Sequence, residues 1–226
     1  MSIMLKMAMR FTQIVQLYEF NGVRSLLNEF FYQKRCAIAV EKKLGDLKPY
    51  SGKTPYDVSI VDVDSTMDKS FFRKYTVKHR NLKCEFYLKS GFKAVALKRA
   101  DHVVGDLWYA TGTDSSREPI HPDMEWLNLV ARPKDVYTFD MFLDPKERGN
   151  GMAAYLQHNA LLLLKEKGFE KAYGYYLADN IPALWVHRLL KWEAIKKVYT
   201  KRFIRRRVIE EETLAKSRQA PCKEGA

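Results

Sequence analysis

The stretch Asp144-Pro145-Lys146-Glu147-Arg148-Gly149-Asn150-Gly151-Met152-Ala153 carries the residue types that hold an anion. Glycines let a backbone come close to a ligand, and the unpaired N–H groups of a first helical turn point at it. Arg148 adds a formal charge at the mouth of the turn. The same residues also fit a plain strand-to-helix loop in which glycine only relieves crowding. Proton transfer needs titratable groups as well, and the chain offers Asp140 within the apolar run and Glu125 in the long connection before it. Asp140 is the only charge between Val136 and Leu143, so it is expected to have a partner or to titrate above the usual carboxylate range. A raised value would suit a base working near neutrality. Strand alternation puts Asp140 on one face with Thr138 and Phe142, and Tyr137, Phe139 and Met141 on the other. His79, His102, His121 and His158 are scattered without ligand spacing, so no metal is expected. No Ser-His-Asp or Cys-His arrangement stands out.

These groups need a strand ahead of the glycines and a helix behind them. Val136 to Leu143 is apolar and strand-like; from about Gly151, Met152, Tyr155, Leu156, Ala160, Leu163 and Leu164 recur at helical spacing. Lys165, Lys167 and Gly168 supply the stop. Upstream, Tyr56 to Val63 alternates as a half-buried strand, and Ser65 with Asp68 resembles a helix start that runs, poorly patterned, to about Ser90. Phe92 to Leu97 and Val103 to Tyr109 form a hairpin turning at Arg99-Ala100-Asp101-His102. Downstream come a strand from Ala172 to Leu177, a short helix from Ile181 to Leu190 and a closing hairpin from Ala194 to Val208. Residues 1 to 34 read mostly as helix, Cys36 to Val40 as a short strand and Leu44 to Pro55 as a turn-rich connection.

Arg148-Gly149-Asn150-Gly151-Met152-Ala153 resembles the Arg/Gln-x-x-Gly-x-Gly/Ala signature of the GNAT superfamily of acyl-CoA-dependent N-acyltransferases, with Arg148, Gly151 and Ala153 on the defining positions. Asn180-Ile181-Pro182-Ala183, His187 and Lys191-Trp192 follow where many members have Asn-x-x-Ala-x-x-x-Tyr-x-x-x-Gly-Phe. Asn180 and Ala183 match; His187, Lys191 and Trp192 depart from the pattern. The likeness covers roughly residues 92 to 209. It implies an α/β fold with a mixed, mostly antiparallel sheet and helices on both faces. It also implies acetyl-CoA or another acyl-CoA as donor and direct attack by an amine in a ternary complex. The CoA site so implied comprises Phe142, Leu143, Arg148, Gly149, Asn150, Gly151, Met152, Ala153, Asn180 and Arg188. A backbone N–H near Phe142 or Leu143 would polarise the thioester carbonyl. His187, at the family's thiol-protonating Tyr position, would serve the leaving thiolate as imidazolium or merely fill the inner face of its helix. Asp135 resembles a strand carboxylate of the family in its spacing before Arg148; Asp140, Asp135, Glu125 and an ordered water all stay open as the base. The connection from Thr111 to Lys134 is expected to wall the acceptor pocket. An acyl-carrier-protein-dependent long-chain transferase and a catalytically inactive CoA-binding module are the other readings.

The 226 residues suit one domain with an appendage: a helical N-terminal extension with a short strand over 1–55, the GNAT-like domain over 56–209 and a disordered tail over 210–226. A hydrophobic fraction of 46% excludes a disordered chain. Three cysteines, far apart and odd in number, read as a reducing, cytoplasmic setting. No apolar run reaches the roughly 18 to 20 residues of a membrane span, and no secretion signal is evident. The net charge of +12 favours an anionic partner: CoA phosphates, an acidic carrier protein, or an anionic membrane surface touched by the amphipathic N-terminal region. That region could equally pack on the domain or in a homodimer. The basic run from Lys196 to Arg207 alternates with apolar residues, so it is read as a hairpin with one basic face and not as a nucleic-acid site.

Overall fold

In a computed structural model the described residues are 32–50, 58–63, 78–112, 121–203 and 206–213. They build eight strands and four α-helices: β1 (Tyr32–Lys43), β2 (Val58–Val63), α1 (Lys78–Lys89), β3 (Lys93–Arg99), β4 (His102–Thr111), α2 (Pro122–Trp126), β5 (Asp135–Leu143), α3 (Met152–Glu166), β6 (Lys171–Leu177), α4 (Ile181–Leu189), β7 (Glu193–Phe203) and β8 (Arg206–Thr213). A 3₁₀ turn, Pro145–Glu147, stands between β5 and α3. The strands form one sheet in the order β2-β3-β4-β5-β6-β1-β7-β8. Every neighbouring pair is antiparallel except β5 and β6.

Alternation along the central strands divides the core between the two faces. Val95, Leu107, Tyr109 and Val136 pack against Ala160, Leu161 and Leu164 of α3. Ala94, Ala96, Trp108, Tyr137 and Phe139 pack on the opposite face with Cys84 of α1 and Met124 of α2. Both faces of β3 to β5 are therefore covered, and those strands read as near-continuous apolar runs.

Several elements differ from the sequence expectation. β1 is twelve residues long and lies inside the sheet between β6 and β7, so the sheet crosses the boundary expected at residue 55. The helical reading of 1–31 and the first part of the helix expected from Ser65 lie outside the described residues. β8 continues through Glu210–Thr213 into the segment read as tail. The hairpin is also less one-sided in charge than its basic run suggests. Lys196, Lys197 and Lys201 of β7 pair with Glu211, Glu212 and Glu210 of β8 at 3.4, 3.8 and 3.3 Å.

Two irregularities of β5 prepare the site. It pairs with β6 only through Asp135, Val136 and Tyr137, opposite Lys171, Ala172 and Tyr173, after which the two parallel strands part. On its other edge Trp108 faces Phe139 and Asp106 faces Phe142, so Leu107 stands against two residues, Asp140 and Met141. This is a β-bulge. Asp140 takes φ +47° there, a left-handed conformation that Asp tolerates better than most residues.

Candidate functional site

The parting of β5 from β6 opens a cavity of about 720 Å³, walled by β5 from Thr138 to Leu143, by β6 from Gly174 to Leu177, and by α3 and α4. Beyond Tyr137 the β6-facing edge of β5 has no strand partner among the described residues, so its alternate N–H and C=O groups face this space. Gly174 keeps it open near the apex. A Cβ there would stand 3.0 Å from Thr138 Oγ1 and 3.2 Å from the Thr138 carbonyl, and the latter is backbone that cannot swing aside.

At the mouth lies the glycine turn. Gly149, Asn150 and Gly151 have φ +97°, +47° and +75°, three left-handed residues in succession, with Gly151 capping α3. The turn's backbone bonds run from Arg148 N–H to Pro145, Met152 N–H to Gly149 and Tyr155 N–H to Gly151. Among the described residues the N–H groups of Gly149, Asn150, Gly151 and Ala153 have no backbone acceptor. Asp144 accepts from Lys146 N–H at 3.0 Å, and Glu147 is tied to Arg99 of β3 at 2.9 Å, which fixes the loop to the sheet. Arg148 Nε donates to the Leu143 carbonyl at 3.2 Å. Arg148, Gly149 and Ala153 line the cavity; Asn150 is exposed beside it, and the Met152 side chain is buried in the core. Phe142 and Leu143 line the cavity too.

From the second motif, Asn180, Ala183 and His187 reach the cavity, while Arg188 is exposed over the Trp185 ring. The Asn180 side chain caps α4, accepting from Ala183 N–H at 3.1 Å. His187 Nδ1 lies 2.7 Å from the Ala183 carbonyl. A carbonyl can only accept, so Nδ1 carries the proton and Nε2 is the ring's acceptor. Burial lowers the His187 pKa, only partly offset by that hydrogen bond. Of the two roles the sequence left open for His187, the one that needs an imidazolium is therefore the disfavoured one.

The carboxylates need the largest correction. The bulge shifts the alternation by one, so Asp140 and Phe142 side with Phe139 toward α1, and Thr138 stays on the α3 face. Asp140 Oδ2 is 2.9 Å from Arg80 Nη1 and 2.9 Å from Lys83 Nζ. Burial alone would raise its pKa, but Arg80, Lys83 and the Tyr87 hydroxyl outweigh that and pull it down to about 2. The raised value expected of a lone carboxylate does not occur, because the carboxylate is not alone. Arg80 also donates Nε to Asp106 Oδ2 at 3.0 Å and Nη2 to Asp106 Oδ1. It thereby clamps the two strands that flank the bulge. Asp135 accepts from Arg132 N–H at 2.8 Å and closes the turn entering β5, on the order of 15 Å along the strand from Asp140. Glu125 is exposed on α2. Within the described part of the long connection, Trp126 packs edge-on against Tyr175 at 5.2 Å, and Tyr175 lines the cavity. The connection thus backs one wall.

Sequence reasoning missed Arg80, Asp106, Gly174 and Gln157. Asp106 had a signal: like Asp140 it is a lone carboxylate in an apolar strand, and two such residues in neighbouring strands call for a shared cation. Gln157 had one as well, being a polar residue within the buried face of α3. Cys84, in contact with this network, is no nucleophile, since burial pushes its thiol well up.

No protein-family model matches the sequence, and no curated protein matches it by sequence. The fold is nonetheless one with known counterparts: the mostly antiparallel sheet with its helices is that of the GCN5-related N-acetyltransferases. One similar structure is the GCN5-related glucosamine N-acetyltransferase region of a fungal multi-domain GH3 β-N-acetylglucosaminidase, with TM-score 0.53, 14% identity, and coverage of 80% of this chain and 22% of that one. Another is a GCN5-related N-acetyltransferase from Sphaerobacter thermophilus, with TM-score 0.50, 12% identity, and coverage of 82% of this chain and 58% of that one. The match thus spans about a fifth and somewhat over half of the lengths of these two proteins.

Proposed function

We propose that this chain is an N-acyltransferase whose cavity takes an acyl-CoA, acetyl-CoA first among them, and passes the acyl group to an amine. The observation that carries this reading is the run of three left-handed residues heading α3, placed where β5 and β6 part. Such a turn offers several N–H groups to one anion, reinforced by the helix dipole. A pyrophosphate held there lets the rest of the donor enter the parting, beside a bulged strand whose free edge can pair with amide groups. In the reaction the amine nitrogen attacks the thioester carbonyl, the C–N bond forms, the C–S bond breaks, and one proton moves from nitrogen to sulfur. A backbone N–H of β5 next to the bulge stabilises the charge developing on the carbonyl oxygen.

Asp140 is held ionised by two cations and serves the scaffold, and Asp135 is committed to its turn. We assign the proton instead to His187. Its neutral ring presents Nε2 as an acceptor, takes the proton from the amine and returns it to the departing thiolate. Calorimetry with acetyl-CoA tests the cradle. Wild type is expected to bind, and Gly151→Val to lose at least tenfold in affinity. The obstacle is conformational, since φ +75° strains a β-branched residue although only the Tyr50 hydroxyl, at 3.8 Å, lies near a Cβ. Wild-type affinity in Gly151→Val would move the site elsewhere.

A further inference from the structure

The polar side chains that wall the cavity are mostly committed to the protein. Thr138 Oγ1 donates to the Tyr173 carbonyl at 3.0 Å, Asn180 caps α4, and His187 Nδ1 is bound to Ala183. Gln157 differs. It is 3% exposed, it lines the cavity, and its Oε1 is sealed from solvent with no hydrogen-bond partner among the described residues. A buried amide oxygen left in that state destabilises the fold until a donor reaches it. The terminal torsion of a glutamine is broad and roughly two-fold, so the carbonyl can turn toward the cavity when a donor arrives.

The position of Gln157 says what kind of donor that is. It stands one helical turn after Ala153 of the cradle, about 6 Å further along α3. A ligand anchored by its pyrophosphate at the head of α3 and running into the parting passes this depth with the first polar groups of its arm. In an acyl-CoA those are a hydroxyl and a secondary amide N–H. We propose that Gln157 is a specificity residue for the donor's arm, accepting a hydrogen bond from this hydroxyl or amide N–H and so distinguishing CoA from a bare nucleotide diphosphate. The inference rests on the acyl-CoA reading above.

The test uses Gln157→Met, which keeps length and removes the amide, with Gln157→Leu as a second variant if the first does not fold. Calorimetry is run with CoA and with ADP, and thermal melts with the unliganded proteins. The expected result is a five- to tenfold loss of CoA affinity, unchanged ADP affinity, and a melting temperature equal to or above wild type, because an unpartnered polar group has been removed. CoA affinity equal to wild type overturns the proposal. So does a parallel loss for CoA and ADP, or a lowered melting temperature, either of which makes Gln157 a packing residue. Failure of wild type itself to bind CoA overturns the acyl-CoA reading first, and Gly151→Val reports on that reading independently of Gln157.

Discussion

At Val136 and Tyr137, β5 is bonded on both edges, to β4 and to β6; from Thr138 to Leu143 its only strand partner among the described residues is β4. The first half is regular sheet, with its backbone groups spent on neighbours. The second half holds the bulge and faces the cavity, and its shape is not maintained by a two-sided ladder. What maintains it comes from the other face of the sheet, where Arg80 joins Asp106 to Asp140. An open edge for a ligand and a charged clamp behind it belong together: the ladder given up on one side is replaced by side-chain bonds on the other.

The most severe way to break this contrast is Arg80→Met. It removes the Arg80 guanidinium from fully buried Asp106, and loss of one partner of a buried pair costs about 3 to 5 kcal/mol. Urea denaturation should show a loss of this size. A loss below about 1 kcal/mol would mean that the bulge stands without the clamp.

His187→Gln probes the cavity side. Turnover should fall by about a hundredfold with little change in acetyl-CoA affinity. Protonation of His187 abolishes its acceptor, so wild-type activity should decline as pH falls through a value below the ordinary histidine pKa of about 6.5. The variant should lack that acidic limb. A limb that persists unchanged assigns the proton to another group.

Asp140→Asn sharpens the same contrast at lower cost. Its folded pKa of about 2 lies below the unfolded value of 3.8, so its stabilisation is complete above pH 4 and is lost as pH falls through 2. The gap between wild type and variant should be about 2 kcal/mol at neutral pH and close over pH 4 to 2. The acidic limb of the rate profile should remain in this variant. Its disappearance would restore Asp140 to the chemistry.

What the sequence made legible was local. Gly149 and Gly151 could be read because left-handed backbone at a helix entry selects glycine within a few residues of the strand and helix that need it. β3, β4, α3 and β6 followed from periodicity for the same reason. Asp140 was misplaced because alternation assumes one residue per step, and a bulge changes the parity for everything beyond it. Its partner Arg80 lies 60 residues upstream, in a helix whose polar and apolar residues show no clear stripe, so nothing local announced the pairing. The length and place of β1 were hidden likewise, since both of its neighbours, β6 and β7, come from the last third of the sequence.

That placement of β1 bears on how the protein is made. Emerging from the ribosome, residues 32–43 must wait for residues 171–203 before meeting either of their strand partners among the described residues. Ala37, Ala39 and Val40, fully covered in the finished sheet, lack the cover of β6 and β7 until those strands are made. The closing hairpin joins the rest of the sheet through β1, so it too must wait for this slot to be filled. Such long-range closure gives slow folding and a long interval in which an apolar strand can find the wrong partner. Yield on expression should therefore respond to temperature and chaperone supply more than the stability of the folded protein would suggest.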